Sequence, residues 1–208
     1  MKNAAPRKPT KDDTRSTRDG AQVWIEGTLD MVANNGIGPI KVERLARQIG
    51  VSKGSFYWFF KNSDELLLRC LEHWQENLNG AVITAAKSSS GPARKRLFDM
   101  IDLVFDSKLG RYDAAIRTWA MSDSKVHIVV TTVDRDRLDF LVGLFEEHGL
   151  DHDSAKHRAH LFYRAFVAES YLRAYPDKLR KGAYLKELLD SLLAVQPAKA
   201  NSVTYRIK

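Results

Sequence analysis

The sequence predicts an all-α protein of two parts. A three-helix head over about 14–63 is built around a helix-turn-helix. A longer helical bundle fills 64–208, and its stretch 64–86 joins the two. Three observations predict this. Apolar residues recur at helical spacing in almost every segment after residue 13. Gly50 stands between two short amphipathic runs, as a tight helix-to-helix turn requires. Positive charge is concentrated at one end: residues 1–61 hold 11 Lys and Arg against 6 Asp and Glu, whereas residues 62–208 hold 22 against 20. A basic first third on a nearly neutral remainder suggests an anionic partner for the first third.

The bulk composition sets outer limits. With 208 residues, 44% of them hydrophobic, a sizeable core is available. No apolar run is long enough to span a bilayer, and no apolar region of the kind found in signal peptides stands near the N-terminus. The single cysteine, Cys70, excludes an internal disulfide and fits a reducing cytoplasm. It falls within an apolar helical pattern, as a buried inert thiol does.

Taken in order, residues 1–13 carry two prolines and many charges and are expected to form a disordered basic arm. Val23, Trp24, Gly27, Met31 and Val32 then share a helical face that ends at Asn34-Asn35-Gly36. Val42, Leu45, Ala46 and Ile49 predict a short second helix. Leu66, Leu67, Cys70, Leu71, Trp74 and Leu78 predict a longer one that starts after Ser63 and Asp64. The stretch SSSGP at 88–92 breaks the chain. Beyond it, helices are expected on Leu97, Met100, Ile101, Val104 and Phe105, over about 112–121, about 124–148 and about 153–174, and on Leu185, Leu188, Leu189, Leu192 and Leu193. Val126–Val133 has strand propensity, but the charged continuation has helical spacing, so helix is expected throughout.

The stretch GVSKGSFYWFF, residues 50–60, ends in five consecutive aromatics. On a helix, Phe56 and Phe60 lie within about 40° of one another. Phe59 borders their face, and Gly54, Ser55, Tyr57 and Trp58 point the other way. Two or three rings are therefore core, and two stand outside beside Lys53. Ser52 is placed to cap this helix, and Val42, Leu45, Ile49, Val51 and Phe56 can share a core with the helix before it. That is the pattern of a helix-turn-helix, whose second helix enters the major groove of DNA by its N-terminal residues.

Over residues 19–78 the chain resembles the DNA-binding domain of the tetracycline-repressor (TetR) family. The residues that carry the resemblance are VERLARQIGVSKGSFYWFFKNSDELLLRCLEHW, above all GVSKGS, Tyr57, Phe60 and the DELL that opens the next helix. Two positions depart from the family pattern. Lys41 stands where a threonine or serine usually caps the helix, a loss of about 1 kcal/mol. Ser63 stands where a lysine or arginine usually meets a phosphate, a contact that Lys61 could take over.

The resemblance implies roles. Tyr57 would donate its hydroxyl to a phosphate, and Lys53 and Ser55 would reach phosphates or base edges. Gly54 would permit close backbone approach, and Trp58 and Phe59 would touch thymine methyls or sugars. Glu43 would accept from a cytosine amino group. Lys41 and Lys61 would sit on phosphate, and Arg15 and Arg18 would follow the backbone or enter the minor groove. For Lys41, Lys61, Arg15 and Arg18 the plainer reading is solvated surface charge.

The resemblance also implies a homodimer on a palindromic operator in double-stranded DNA, joined through helices at about 153–174 and 183–195, with LKELLDSLLAV as the clearest apolar stripe. The plainer reading of those stripes is that they face their own core. It further implies a small effector, apolar or aromatic, bound among the helices of the second part. The candidate lining residues are Phe105, Arg117, Trp119, Phe140, Phe162, Tyr163 and Phe166. Most such rings in a helical protein are core. Arg117 stands among apolar residues and needs an acid partner or an anionic ligand, with Asp123 or Glu169 as candidate acids.

Four of the six histidines fall at 148, 152, 157 and 160. Such a cluster can bind zinc or nickel, but the spacing fits no closed site and a polar helix connection with a solvated first turn is the plainer reading, so no metal and no cofactor are expected. The chain has no Gly-rich phosphate loop, His-Glu-x-x-His or nucleophile elbow. The sequence thus points to an effector-released transcriptional repressor and not to an enzyme. An architectural DNA-binding protein without an effector is the alternative, and a helical-bundle enzyme is a weaker one.

Overall fold

The computed structural model describes residues 11–106, 109–171 and 178–194, and the side chains of 20–104, 110–169, 171 and 182–194 among them. The described elements are all helical: α1 Lys11–Asn35, α2 Val42–Ile49, α3 Lys53–Phe59, α4 Ser63–Glu72, a π-helical segment His73–Asn79, α5 Gly80–Ser88, α6 Ala93–Asp106, α7 Leu109–Ala120, α8 Ser124–Glu147, α9 His152–Tyr171 and α10 Lys178–Ala194. Val126–Val133 is helical, inside α8. None of these helices is long and apolar enough to cross a membrane.

Most of the expected arm, 1–10, lies outside the described residues, and its last three residues already open α1. The buried face of α1 differs from the expected one. Trp24, Ile25, Thr28, Leu29 and Val32 are buried, while Val23 is 43% exposed. The strongest anchor, Trp24, fixes the rotation because Phe56 meets it edge-on at 5.2 Å between centroids. Gly27 sits where α1 and α2 approach. A Cβ there would lie 2.3 Å from Ile49 Cγ2, so a side chain would force the helices apart.

Helix α4 begins at Ser63 rather than after Asp64, because Asn62 caps it. The Asn62 side chain accepts from Glu65 N at 2.9 Å, and Glu65 Oε2 accepts from Lys61 N at 2.8 Å. From Ser63 to Ser88 the chain is one unbroken helix. Its middle is π-wound, with Gly80 N–H donating five residues back to Gln75 O. No sequence signal announces that segment.

Buried residues form two clusters. One joins the head (Trp24, Leu45, Phe56, Phe60, Leu66, Cys70, Trp74) to α7 and the first half of α8 (Tyr112, Ile116, Val126, Val130, Val133). The other joins α6, the second half of α8, α9 and α10. Two polar contacts fasten α7 to α1: Tyr112 Oη donates to Asp30 Oδ1 at 2.9 Å, and Arg111 Nη2 to Asn34 Oδ1 at 3.1 Å. Cys70 is buried, and burial pushes its thiol up to about 12.

The apolar stripe of the last helix resolves into two faces. Leu185, Leu189 and Leu193 are buried in the protomer's own second cluster. Leu188 and Leu192 are half-buried, and Tyr184 is exposed. The three best leucines of LKELLDSLLAV therefore face inward, a correction to the expectation that they form an outer surface. Helix α10 starts before the expected 183, and the expected end of α9 at 172–174 lies outside the described residues.

Candidate DNA interface and ligand cavity

In the head, α2 and α3 meet at a tight turn and each exposes one side to solvent. Gly50 closes α2 at φ 75°, a left-handed conformation that glycine adopts without a steric penalty, and Val51 N–H then returns to Ala46 O at 3.0 Å. Ser52 caps α3: its Oγ accepts from Ser55 N at 3.2 Å, and Ser55 Oγ donates to Ser52 O at 2.8 Å. Lys41 occupies the cap of α2 with no side-chain hydrogen bond, as its lack of an oxygen dictates. The first turn of α3 carries no acid, so no carboxylate of that turn offsets the positive end of its dipole beside Lys53.

The aromatic run divides as its spacing predicts. Phe56 and Phe60 are 1% and 3% exposed, whereas Tyr57 and Trp58 are 60% and 81% exposed. Phe59 is half-buried and lies over Gly20 of α1, where a Cβ would come within 2.5 Å of its Cζ. It stands apart from the surface formed by Tyr57 and Trp58. Lys41, Lys53, Gly54 and Lys61 are exposed, and Ser55 is half-buried. The side chains of Arg15 and Arg18 lie outside the described residues.

Glu43 and Lys53, two candidates assigned separate roles from the sequence, form an ion pair with each other across the turn. The hydrogen bond holds the Glu43 carboxyl below its usual value and the Lys53 ammonium above its own. Both remain open to solvent, so each can still be given up to DNA. Arg44 and Arg47, which the sequence reading passed over, are also exposed on α2. Their only sequence signal is basic charge on the outer face of a helix.

In the second part, a cleft partly open to solvent lies between the long connecting helix and α6–α9. Val82, Ile83, Met100, Val104, Phe140, Leu141, Phe162 and Phe166 make its apolar wall, and Asn79, Asp113, Arg137 and Tyr163 form its polar end. Behind this end lies an ion network. Arg117 Nε donates to Asp113 Oδ2 at 2.8 Å, Arg117 Nη1 to Asp134 Oδ2 at 2.9 Å and Arg117 Nη2 to Tyr163 Oη at 2.9 Å. Arg137 Nη2 is 2.8 Å from Asp113 Oδ1, and Arg137 Nε donates to Asn79 Oδ1 at 2.6 Å. Tyr163 Oη donates to Asp134 Oδ1 at 2.6 Å.

Asp113 is 2% exposed. Burial alone would push its carboxyl up, but the guanidiniums of Arg137 and Arg117 reverse this and hold it below the usual range. Burial raises Tyr163 to about 12.

Of the candidate lining residues, Phe140, Phe162, Tyr163 and Phe166 reach the cleft. Arg117 stands behind it, bonded to Tyr163. Its acids are Asp113 and Asp134; the candidate Asp123 instead caps α8, accepting from Lys125 N at 2.9 Å. Trp119 packs against the first core cluster, away from the cleft. The Phe105 side chain lies outside the described residues. Asn79, Asp113, Arg137 and Asp134 were missed. Asp113 had a usable signal, since it precedes Arg117 by one helical turn. In the histidine stretch, His152 Nδ1 pairs with Glu146 Oε1 at 2.7 Å. Among the described residues no group of three or more His, Cys, Asp or Glu could hold a metal ion.

A short helix-turn-helix with an exposed second helix thus stands beside a helical part that holds a cleft. Residues 25–70 match the family model described as bacterial regulatory proteins, tetR family. Solved structures share its fold. A transcriptional regulator from Rhodococcus sp. Rha1 is 19% identical with a TM-score of 0.66, over 85% of this chain and 99% of that one. A TetR-family transcriptional regulator from Agrobacterium tumefaciens is 14% identical with a TM-score of 0.69, over 84% and 98%. A TetR transcriptional regulator from Legionella pneumophila is 13% identical with a TM-score of 0.69, over 89% and 98%. No curated protein matches the sequence significantly.

Proposed function

We propose that the chain is a homodimeric repressor that reads a palindromic operator and leaves it when a small, mainly apolar molecule fills the cleft. One observation carries this reading: a single unbroken helix touches both places. Its start, with Leu66 and Cys70, is buried in the head core, and its later residues Asn79, Val82 and Ile83 line the cleft. A ligand that prefers a different pose of that helix moves the reading head, and it shifts DNA affinity by its differential binding.

In this reading Tyr57, Lys53 and Ser55 contact phosphates and base edges, and Gly54 lets the backbone approach. Trp58 stacks on sugars or thymine methyls, and Lys41 and Lys61 hold the flanking phosphates. Dimerisation uses the outer faces of α9 and α10, where Leu161 and Tyr184 are exposed and Ala165, Ala168, Leu188 and Leu192 are half-buried. The division into a head over 14–63 and a ligand-binding and dimerisation domain over 64–208 belongs to the same proposal, as does action in the cytoplasm.

Sedimentation equilibrium tests it, on the protein alone and with an operator duplex. Two protomers in solution that fall apart on Leu161→Arg support the dimer. A monomer that still binds operator tightly contradicts it.

A further inference from the structure

The polar end of the cleft is electrically closed. Arg117 and Arg137 face Asp113 and Asp134, two formal charges of each sign. Every nitrogen of both guanidiniums is already turned to a protein oxygen: on Arg117, to Asp113, Asp134 and Tyr163; on Arg137, to Asn79, Tyr163 and Asp113. Tyr163 Oη gives its proton to Asp134 and accepts from both arginines. A ligand carboxylate therefore finds no cation without an acid of its own, and a ligand ammonium finds no carboxylate without a guanidinium. Burying either charge there carries a desolvation cost that no partner offsets.

One capacity is left over, and it is an acceptor. Asp113 Oδ1 is buried, and its one described partner is Arg137 Nη2, an ion-pair contact at 2.8 Å that leaves the oxygen's other lone pair unfilled. Asp113 also lines the cleft. The remaining wall is aliphatic and aromatic, with Phe140, Phe162 and Phe166 facing the space. From this pairing we infer that the effector is an uncharged, largely apolar molecule with one hydrogen-bond donor, a phenol or an alcohol, seated with its O–H on Asp113. The inference rests on the ligand-released reading above and narrows it to a chemical class.

Four probes of one shape test it by calorimetric titration of the full chain: 4-butylphenol, 4-butylanisole, 4-butylbenzoate and 4-butylbenzylammonium. Each is run on the wild type and on Met100→Trp, which fills the cleft from its apolar side. The phenol is expected to bind tightest, with an advantage over its methyl ether on the order of tenfold or more, the scale of one hydrogen bond to a charged acceptor. Met100→Trp is expected to abolish it. Benzoate or ammonium binding tightest, or ether matching phenol, would overturn the class and leave an effector cleft of other chemistry. Absence of binding by all four, or binding that survives Met100→Trp, would overturn the cleft reading itself. The wild-type ranking decides the class even if the variant misfolds.

Discussion

Arg137 Nε donates to Asn79 Oδ1 at 2.6 Å, across fifty-eight positions of sequence. This bond ties α8 to the last residue of the π-wound segment, and Arg137 also lies over the Trp74 ring at 5.6 Å. The cleft and the helix that carries the head thus meet in one guanidinium. Asn79→Ala leaves Arg137 Nε without its acceptor. It should lower stability by about 1–3 kcal/mol, the usual cost of orphaning a buried group, and reduce the response of DNA affinity to the effector. Urea unfolding and effector titrations of the DNA complex measure the two effects. Unchanged coupling would remove Asn79 from the path between the sites.

Glu43 and Lys53 offer a second test, because their pairing makes opposite forecasts for two roles of Glu43. If Glu43 mainly holds Lys53, then Glu43→Gln releases a cation toward DNA. Affinity for all duplexes should then rise, and the slope of log affinity against log salt should steepen by about one. If Glu43 reads a base, the same substitution should weaken one position of the operator selectively.

Gly27 leaves no room for a methyl group beside Ile49. Gly27→Ala should destabilise the head by about 1–3 kcal/mol, as overpacking does, despite the better helix propensity of alanine. Adding Ile49→Ala should recover part of that loss. Thermal unfolding of the two single variants and the double variant checks this.

Stability should depend on pH at both ends. Burial holds His73 below its ordinary 6.5, with Glu26 opposing. The folded state therefore binds fewer protons there than the unfolded chain, and stability falls as pH drops through and below about 6.5. Asp113, held below 3.8, adds a second acid loss as pH falls through its lowered value. Tyr163 is raised from 10.0 to about 12, so the stabilisation it gives is intact below 10 and is lost as pH rises through about 12. Urea midpoints across pH should form a plateau between these limits. A His73→Gln profile that keeps the first acid step would refute its assignment.

The head was legible in the sequence because its signals are local. Phe56 and Phe60 in, Tyr57 and Trp58 out, and Ser52 as cap all follow from spacing within one turn of helix. The rotation of α1 was not, because Trp24 and its neighbours allow two faces and a contact with Phe56 from another helix chooses between them. The leucines of α10 misled for a related reason: periodicity reveals a face but not what covers it. Arg117, a cation among apolar residues, calls for an acid, yet its partner Asp134 comes from α8 and Tyr163 from α9. Pairings that close across three helices leave no periodic trace. The π-wound turn left none either.

In the proposed reading, α3 reads sequence for a two-fold symmetric protein. Selection of bound duplexes from a random pool tests it most directly, with Tyr57→Ala and Lys53→Ala run in parallel. A palindrome whose half-sites are centred about 34–36 Å apart, or a multiple of that, should be enriched, and the enrichment should be lost in both variants. A pool that stays random, with binding that is equal on all sequences and vanishes steeply as salt rises, would contradict it.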